Sequence, residues 1–546
     1  MCGIFLFVGK STNNFNPHCS NIKCRGPDDT RFLEKITDYG KVYMEFHRLQ
    51  INDLSSNGMQ PMTYITDNDC VLICNGEIYN CKELTQKYEF NMKSSSDCEI
   101  ILHMFKRFGI EETVKQLDGV FAFALYDHET IYLARDIVGV RPLFYLWNCN
   151  EFIISSEAKS ILSVDNINID NEKNIIKQFP PGYFGKLTYN KNICNGILTF
   201  NTYTYFNLDR FKINPSTYKS SISKFKTLLT NAVKKRLLSD RPIGCFLSGG
   251  LDSSIICSLL CKLSDKKITT FSIGMENTNA PDLKYAKQVA EYLNTDHHEV
   301  KFTFNEGFAA LEDLIFTLET YDITTIRAAL PQYLLSKYIL KNTDIKVVFS
   351  GEGADEHYAG YQYLHMAPNN NELHDEIVSL LKNIHYFDVL RTDRTTAKFG
   401  LEVRVPFLDK KVVEHSLTIP PEYKESKNKI EKYIIRQAFI GNYLPEEILW
   451  RRKNAFSDAV GYGWVDELKK RIDLLINDDE FERKKEIYNI NPPISKEALY
   501  YRNIFEKYYS GKGNLIPKFW MPNPKWCDNK LTDPSALVLD CFVEND

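Results

Sequence analysis

The stretch that decides the fold is Phe246-Leu247-Ser248-Gly249-Gly250-Leu251-Asp252-Ser253-Ser254, which joins an apolar run at 243–247 to a helical pattern at 252–263. Two glycines permit close backbone approach, the serine hydroxyls donate hydrogen bonds, and a helix N-terminus adds the positive end of its dipole. Such a turn suits a pyrophosphate. Asp252 would repel phosphate on its own, and Mg²⁺ bridging carboxylate and phosphate oxygens removes that conflict. The lysine of a Walker A loop is missing here. The turn therefore reads as one that grips the β- and γ-phosphates as a departing unit, with attack at the α-phosphorus and release of pyrophosphate.

Outward from this loop, strand and helix alternate: strand patterns at 269–273 and 345–349, and a helical one at 283–293. Alternation of this kind predicts an α/β domain with a parallel sheet and crossover helices, whose ligand crevice lies at the carboxyl ends of the strands. Residues up to about 510 read mainly helical, and the tail with Phe519, Trp520 and Trp526 reads as a docked irregular segment. Upstream the texture changes to short β-like runs at 71–74, 121–126, 131–134 and 152–154, with helical spacing at 98–108. That pattern predicts a strand-rich α+β domain of layered sheets. Residues 201–218 are polar and aromatic without periodicity, so the expected organisation is a first domain at 2–200, a linker at 201–218 and a second domain at 219–546.

Composition agrees with two or more globular domains. The 546 residues are 43% hydrophobic and 25% charged, which excludes disorder and fibrous repeats. With 67 Lys+Arg against 71 Asp+Glu the net charge is -4, so no global field draws the chain to nucleic acid or anionic lipid. The 14 cysteines are scattered without a CxxC and read as reduced thiols. The apolar run at 4–8 lacks a basic segment before it and a cleavage site after it, and no window approaches the roughly 18 apolar residues of a membrane span. A cytoplasmic protein without membrane or nucleic-acid partners is the expectation.

At the other end of the chain, Cys2 follows the initiator Met1. Removal of Met1 would leave a cysteine with a free α-amine, whose ordinary pKa of about 7.7 to 8.0 lets it accept the thiol proton and pass it to a leaving amine. A cysteine that hydrolyses a carboxamide also needs an oxyanion hole. Asn75-Gly76, read as a turn after the strand ending at Cys74, offers side-chain and backbone donors for one. A free amino-acid substrate needs a guanidinium for its carboxylate and a carboxylate for its ammonium. Arg48, with Asp97 and Glu77, supplies those residue types.

Met1-Cys2-Gly3-Ile4, Arg25-Gly26-Pro27-Asp28-Asp29, His47-Arg48-Leu49, Asn75-Gly76-Glu77-Ile78-Tyr79-Asn80 and Ser94-Ser95-Ser96-Asp97-Cys98-Glu99 stand in this order. Together they resemble the N-terminal cysteine glutaminase domain of class II amidotransferases. The resemblance implies an N-terminal nucleophile fold, a layered αββα sandwich. It also implies Cys2 as nucleophile, Asn75 and Gly76 as oxyanion hole, and Arg48, Asn75, Glu77 and Asp97 as glutamine-binding residues.

The loop at 246–254 resembles the signature of the ATP-pyrophosphatase family, which adenylates a carboxylate or carbonyl oxygen before nitrogen or sulfur attack. Phe271-Ser272-Ile273-Gly274, Pro281-Asp282-Leu283, the run 319–327, Ser350-Gly351-Glu352-Gly353-Ala354-Asp355-Glu356, the run 400–409, Trp450-Arg451-Arg452-Lys453 and Thr532-Asp533-Pro534-Ser535 narrow it. With the glutaminase motifs in front, the whole chain resembles the glutamine-hydrolysing asparagine synthetases. The resemblance implies ATP, Mg²⁺, aspartate and glutamine as the small molecules bound, and leaves a homodimer open. Leu247 and Ile273 would contact adenine, with Ser350 and Gly351 completing the nucleotide pocket. Ser248, Gly250, Asp252 and Ser253 would hold pyrophosphate and Mg²⁺, Lys453 would offset phosphate charge, and Arg327 would position ATP. Glu352 would orient or deprotonate the attacking ammonia, and Asp355 and Asp388 would bind metal or aspartate.

The implied reaction has two sites. Cys2 forms a γ-glutamyl thioester and releases ammonia; ATP and aspartate form β-aspartyl-AMP and pyrophosphate, and ammonia displaces AMP to give asparagine. The alternatives are amidation of another carboxylate and, against the negative net charge, a tRNA-modifying ATP pyrophosphatase. Two features are decoys. Gly9-Lys10-Ser11-Thr12 ends like a Walker A loop but has Ile4 where the first glycine is required. His297-His298 lie next to each other on a strand, where side chains face opposite ways. Asn52, which interrupts the apolar run after Leu49, and Ala354, where many relatives carry serine, are expected to stay outside the catalytic roles.

Overall fold

The computed structural model describes residues 1–10, 19–164, 175–190, 197–278, 280–426, 430–452, 463–526 and 533. They divide into two compact units, one of Met1–Asn207 with Leu238–Arg241 and Ala397–Glu402, the other of the remainder.

The first unit holds strands β1 (Gly3–Gly9), β2 (Asp29–Thr37), β3 (Gly40–Arg48), β4 (Met62–Tyr64), β5 (Asp67–Ile78), β6 (Gly119–Asp127), β7 (Thr130–Arg135), β8 (Phe144–Trp147), β9 (Glu151–Ser155), β10 (Lys177–Gln178), β11 (Tyr183–Asn190) and β12 (Ile197–Thr204). They form two six-stranded sheets, ordered β10-β8-β9-β1-β3-β2 and β12-β11-β7-β6-β5-β4. Strand β1, GIFLFVG, is apolar and buried along its length because both its faces are covered. Ile4, Leu6 and Val8 face Val71 and Ile73 of β5 and Ala122 and Ala124 of β6 in the core between the sheets. On the outer faces lie α1 (Cys81–Tyr88), α2 (Ile100–Gln116) and α3 (Ala158–Leu162), so the layers follow the αββα order.

Two local expectations differ from this structure. Residues 201–204 belong to β12 and pair with β11, so the polar start of the expected linker is strand. Its alternation of Thr and Tyr suits a half-exposed strand, with Tyr203 stacked on Phe184 at 5.1 Å. Likewise β5 does not end at Cys74: Asn75 and Gly76 pair with Ala122 and Phe121 of β6, so they are strand residues and not a turn. They pair in register with β6 because that strand extends alongside them, which local sequence does not reveal.

The second unit opens with α4 (Tyr218–Lys235) and builds a sheet ordered β15-β14-β13-β16-β17 from β13 (Ile243–Phe246), β14 (Thr269–Met275), β15 (Asp296–Phe302), β16 (Val347–Phe349) and β17 (Glu402–Arg404). Strands β13, β14, β15 and β16 pair in parallel. The crossovers carry α5 (Leu251–Leu263), α6 (Pro281–Leu293), α7 (Phe304–Leu318) and α8 (Ile323–Asn342), followed by the short α9 (Ala354–His357) and further helices. Chain order runs outward from β13 to β15, then returns to the other side of β13 with β16. The carboxyl ends of β13 and β16 thus form a topological switch point, where open α/β sheets place their ligands. As expected of strand neighbours, His297 turns to Thr270 and Ser272 while His298 packs on Tyr338. The eleven described cysteines are free thiols.

Candidate active sites

In the first unit, the start of β1 brings Cys2 beside the carboxyl half of β5. Cys2 N donates to Asn75 Oδ1 at 2.9 Å, Leu49 N donates to Cys2 Sγ at 3.4 Å, and Arg25 Nε donates to Cys2 O at 3.1 Å. Burial pushes the Cys2 thiol up, and the neighbouring terminal amine opposes this. The Asn75 Nδ2 amide is buried and without a partner among the described residues. Orphaned donors of this kind are rare in folded proteins and mark a position where an acceptor is missing. At Gly76 a Cβ would come within 2.6 Å of Val120 O and 2.8 Å of Phe121 Cα, so only glycine keeps the strand this close to β6.

The other expected glutamine-site residues converge on the same place. Asp97 begins the turn that leads into α2; Ile78 N donates to its Oδ2 at 2.6 Å, and burial raises its carboxyl to about 6. Glu77 lies on β5 and is joined to Asp97 by Asn52, whose Nδ2 donates to Glu77 Oε2 at 2.5 Å and to Asp97 Oδ1 at 3.4 Å. Asn52 is expected to stay outside the catalytic roles, and its contacts are with the two residues expected to bind glutamine. Its amide donates to both acidic residues, a relation invisible along the chain because 25 and 45 positions separate it from them. Arg48, at the end of β3, is buried and donates through Nη1 to Ser55 O at 2.6 Å and through Nη2 to Asp53 O. Its guanidinium organises the loop 53–55.

In the second unit, a cavity of about 280 Å³ opens at the switch point. Leu247, Ser248, Gly250, Asp252, Ser253, Ile273, Arg327, Ser350, Gly351, Glu352, Asp355 and Asp388 all line it, which is every described residue that the sequence pointed to for this site. Lys453 lies outside the described residues. The loop after β13 is closed by Ser248 and Ser253, whose hydroxyls meet at 3.0 Å. On the opposite wall Arg391 pairs with Glu352 at 2.8 Å and Asp388 at 3.0 Å. Burial raises the Glu352 carboxyl, and the Arg391 charge opposes that shift. Arg327 donates through Nε to Glu497 at 2.8 Å and through Nη1 to Asp533 at 3.0 Å, so its charge is already shared by two carboxylates.

A family model described as asparagine synthase matches residues 224–379 and 366–523, and one described as a glutamine amidotransferase domain matches residues 1–219. The chain is 42% identical to the glutamine-hydrolysing asparagine synthetase of Gallus gallus, over 99% of this chain and 98% of that one. With the same coverages it is 41% identical to the enzyme of Mus musculus and 40% to that of Homo sapiens. This chain belongs to the glutamine-hydrolysing asparagine synthetases.

Within that family the structure gives roles to residues to which the sequence alone assigns none, some of them, such as Arg451 and Trp520, lying in stretches already quoted. Lys432 Nζ sits 2.5 Å from Asp252 Oδ2 and 2.8 Å from Asp355 Oδ1. Buried and flanked by two carboxylates, its ammonium is held in the charged form. Arg391, Arg451 and Trp520 also line the cavity of this asparagine synthetase. Lys432 carries one sequence signal, the charged pair Glu431-Lys432 just before the helical run 433–438, which is too weak to separate from a surface pair. The carboxylates of Asp252 and Asp355 are hard oxygen donors that already converge on one cation, so they fit Mg²⁺ by the chemistry of the donor set.

Proposed function

We propose that this chain makes asparagine from aspartate with ATP, taking nitrogen from glutamine and producing β-aspartyl-AMP, pyrophosphate, AMP and glutamate on the way. The observation that carries this reading is the convergence of twelve expected residues on one cavity at the switch point of the parallel sheet. The full-length similarity to glutamine-hydrolysing asparagine synthetases supports aspartate over another carboxylate and leaves the tRNA-modifying alternative without support.

In the first unit Cys2, freed from Met1, attacks the glutamine carboxamide. Its α-amine takes the thiol proton while accepting orientation from Asn75 Oδ1, the acceptor 2.9 Å from that nitrogen. Asn75 Nδ2 and Gly76 N–H stabilise the oxyanion, Asp97 and Glu77 hold the substrate ammonium, and Arg48 faces its carboxylate. Water then frees glutamate from the thioester. In the second unit Leu247 and Ile273 flank the adenine, Ser350 and Gly351 close the nucleotide pocket, and Ser248, Gly250 and Ser253 receive the phosphates. Arg327 orients this wall through its carboxylate partners, and Lys453 offsets phosphate charge. Asp252 and Asp355 would hold Mg²⁺, which lowers the charge repulsion between polyphosphate and carboxylate when bound. Asp388 and Asp355 receive aspartate beside Arg391, and Glu352 takes a proton from the attacking ammonia, a task for which a raised carboxyl is suited.

We place this reaction in the cytoplasm; among the described residues no helix is long and apolar enough to cross a membrane. A homodimer is the assembly to look for by light scattering. The deciding experiment incubates the full chain with MgATP, aspartate and glutamine, and follows asparagine, glutamate, AMP and ADP. Asparagine with AMP is expected, lost in Cys2→Ala with glutamine and restored with ammonium. Formation of ADP in place of AMP, or no asparagine with either nitrogen source, overturns the reading.

A further inference from the structure

The loop after β13 carries no lysine, and a guanidinium about 200 residues downstream reaches it. Arg451 Nη1 donates to Gly249 O at 3.2 Å, its Nη2 donates to Asp282 Oδ1 at 3.2 Å, and its Cζ lies over the Tyr285 ring, 3.9 Å from the centroid. Asp282 and Tyr285 both stand at the start of α6. One cation therefore ties the loop to the helix behind it. The pair is well shielded from water, with Asp282 and Arg451 side chains 9% and 11% exposed.

The loop and the helix already touch at Gly249. Its φ is +71°, and a Cβ there would come within 2.4 Å of Ala286 N and 2.5 Å of Tyr285 C. Arg451 adds direction to this contact. A trans peptide points its C=O and N–H to opposite sides, so fixing Gly249 O toward Arg451 turns the Gly250 N–H away from it. That N–H meets Ser248 Oγ at 3.3 Å, and Gly250 and Ser248 line the cavity. Only a planar fork can bridge a carbonyl and a carboxylate while lying flat on an aromatic ring; an ammonium reaches one of them at a time.

We propose that Arg451 is a positioning residue for ATP: it holds the Gly249–Gly250 peptide so that the Gly250 N–H faces the polyphosphate, and thereby sets affinity for the nucleotide and the departing pyrophosphate. It acts through that peptide and takes no part at the α-phosphorus. The proposal rests on the reading of this loop as the pyrophosphate grip.

The test uses the full chain with ammonium as nitrogen donor and measures AMP formation against ATP concentration, with pyrophosphate and AMP as product inhibitors. In Arg451→Gln the KM for ATP rises about tenfold or more while kcat changes less than about threefold, and pyrophosphate inhibition weakens in parallel with KM while AMP inhibition stays as in the parent. Arg451→Lys, which keeps the charge and loses the fork, recovers less than half of the lost affinity on a logarithmic scale. Should Arg451→Gln fold poorly, Asp282→Asn loosens the same guanidinium and shifts KM and pyrophosphate inhibition in the same direction by a smaller factor. A KM within about twofold of the parent, or AMP inhibition weakened as much as pyrophosphate inhibition, overturns the proposal. If the parent chain itself forms no AMP, the underlying reading of the loop fails, and that result is distinct from either.

Discussion

Lys432 Nζ lies 2.5 Å from Asp252 Oδ2, and its other near neighbour is Asp355 Oδ1 at 2.8 Å. The backbone of Lys432 is left-handed, with φ 53°, a conformation that costs a non-glycine residue of order 1–3 kcal/mol and persists where the surroundings impose it. The ion pair compensates for that strain. Lys432→Met leaves two half-buried carboxylates without their cation and is expected to lower stability by up to about 3 kcal/mol, the low end for a broken buried pair. Millimolar Mg²⁺ restores part of this, because a divalent cation at the same carboxylates replaces the lost charge. Thermal unfolding with and without Mg²⁺ checks it: the metal-induced rise in Tm is larger in the variant than in the parent.

Asn52 links Glu77 to Asp97 through one amide. Asn52→Ala removes the donor shared by two acidic groups and lets them repel, so the KM for glutamine rises about tenfold, as expected for a hydrogen bond to charged partners. Steady-state glutaminase kinetics read this directly. Asparagine synthesis with ammonium, which uses the second unit, keeps its rate.

The pH dependence of glutamine use follows from Asp97. Burial raises its carboxyl to about 6, above the ordinary value near 3.9. Folding therefore favours the protonated form, and between about pH 4 and 6 stability falls as the pH rises, since the folded state binds more protons than the unfolded one. In its proposed role, function runs the other way: the substrate ammonium needs the ionised Asp97 carboxylate, so kcat/KM for glutamine is expected to drop as the pH falls through about 6. Asp97→Asn lowers kcat/KM and removes this acid limb. A pH profile of glutamate release, with ammonium-dependent synthesis as the reference, measures both effects.

Gly76 has no room for a methyl group, since a Cβ would meet Val120 O, Phe121 Cα and Phe121 Cβ of the paired strand, the first two of them backbone atoms that cannot turn aside. Gly76→Ala pushes β5 from β6 at the point where Asn75 faces Cys2. Stability falls by about 1–3 kcal/mol in denaturant titration, the usual cost of overpacking. Glutaminase activity falls by more than that loss of folded protein explains, because the peptide we propose as the source of the oxyanion donors has moved.

Much of the second unit was legible from one turn. Gly249-Gly250 between an apolar strand and a helix specifies a close-approach loop, and alternating strands and helices specify a parallel sheet with that loop at its carboxyl edge, because both patterns act over a few residues. The strand-rich texture of the first unit and the chemistry available to Cys2 were readable for the same reason. What local pattern could not convey is where a chain comes back. Asn75-Gly76 has the composition of a turn and becomes strand because β6 lies alongside; residues 201–204 have the polarity of a linker and become strand because β11 does. Arg391 and Lys432 are ordinary basic residues in sequence, and Arg451 stands in a motif that does not show its partners. They acquire their partners only when segments 39 to 202 positions apart meet around a buried cavity, where low polarity makes an unpaired charge costly and so selects the ion pairs that form. The sequence by itself determined the chemistry available and the elements that carry it, because those depend on side-chain type and short-range spacing; tertiary structure alone decided which charges neutralise one another, because that depends on burial and on contacts between distant parts of the chain.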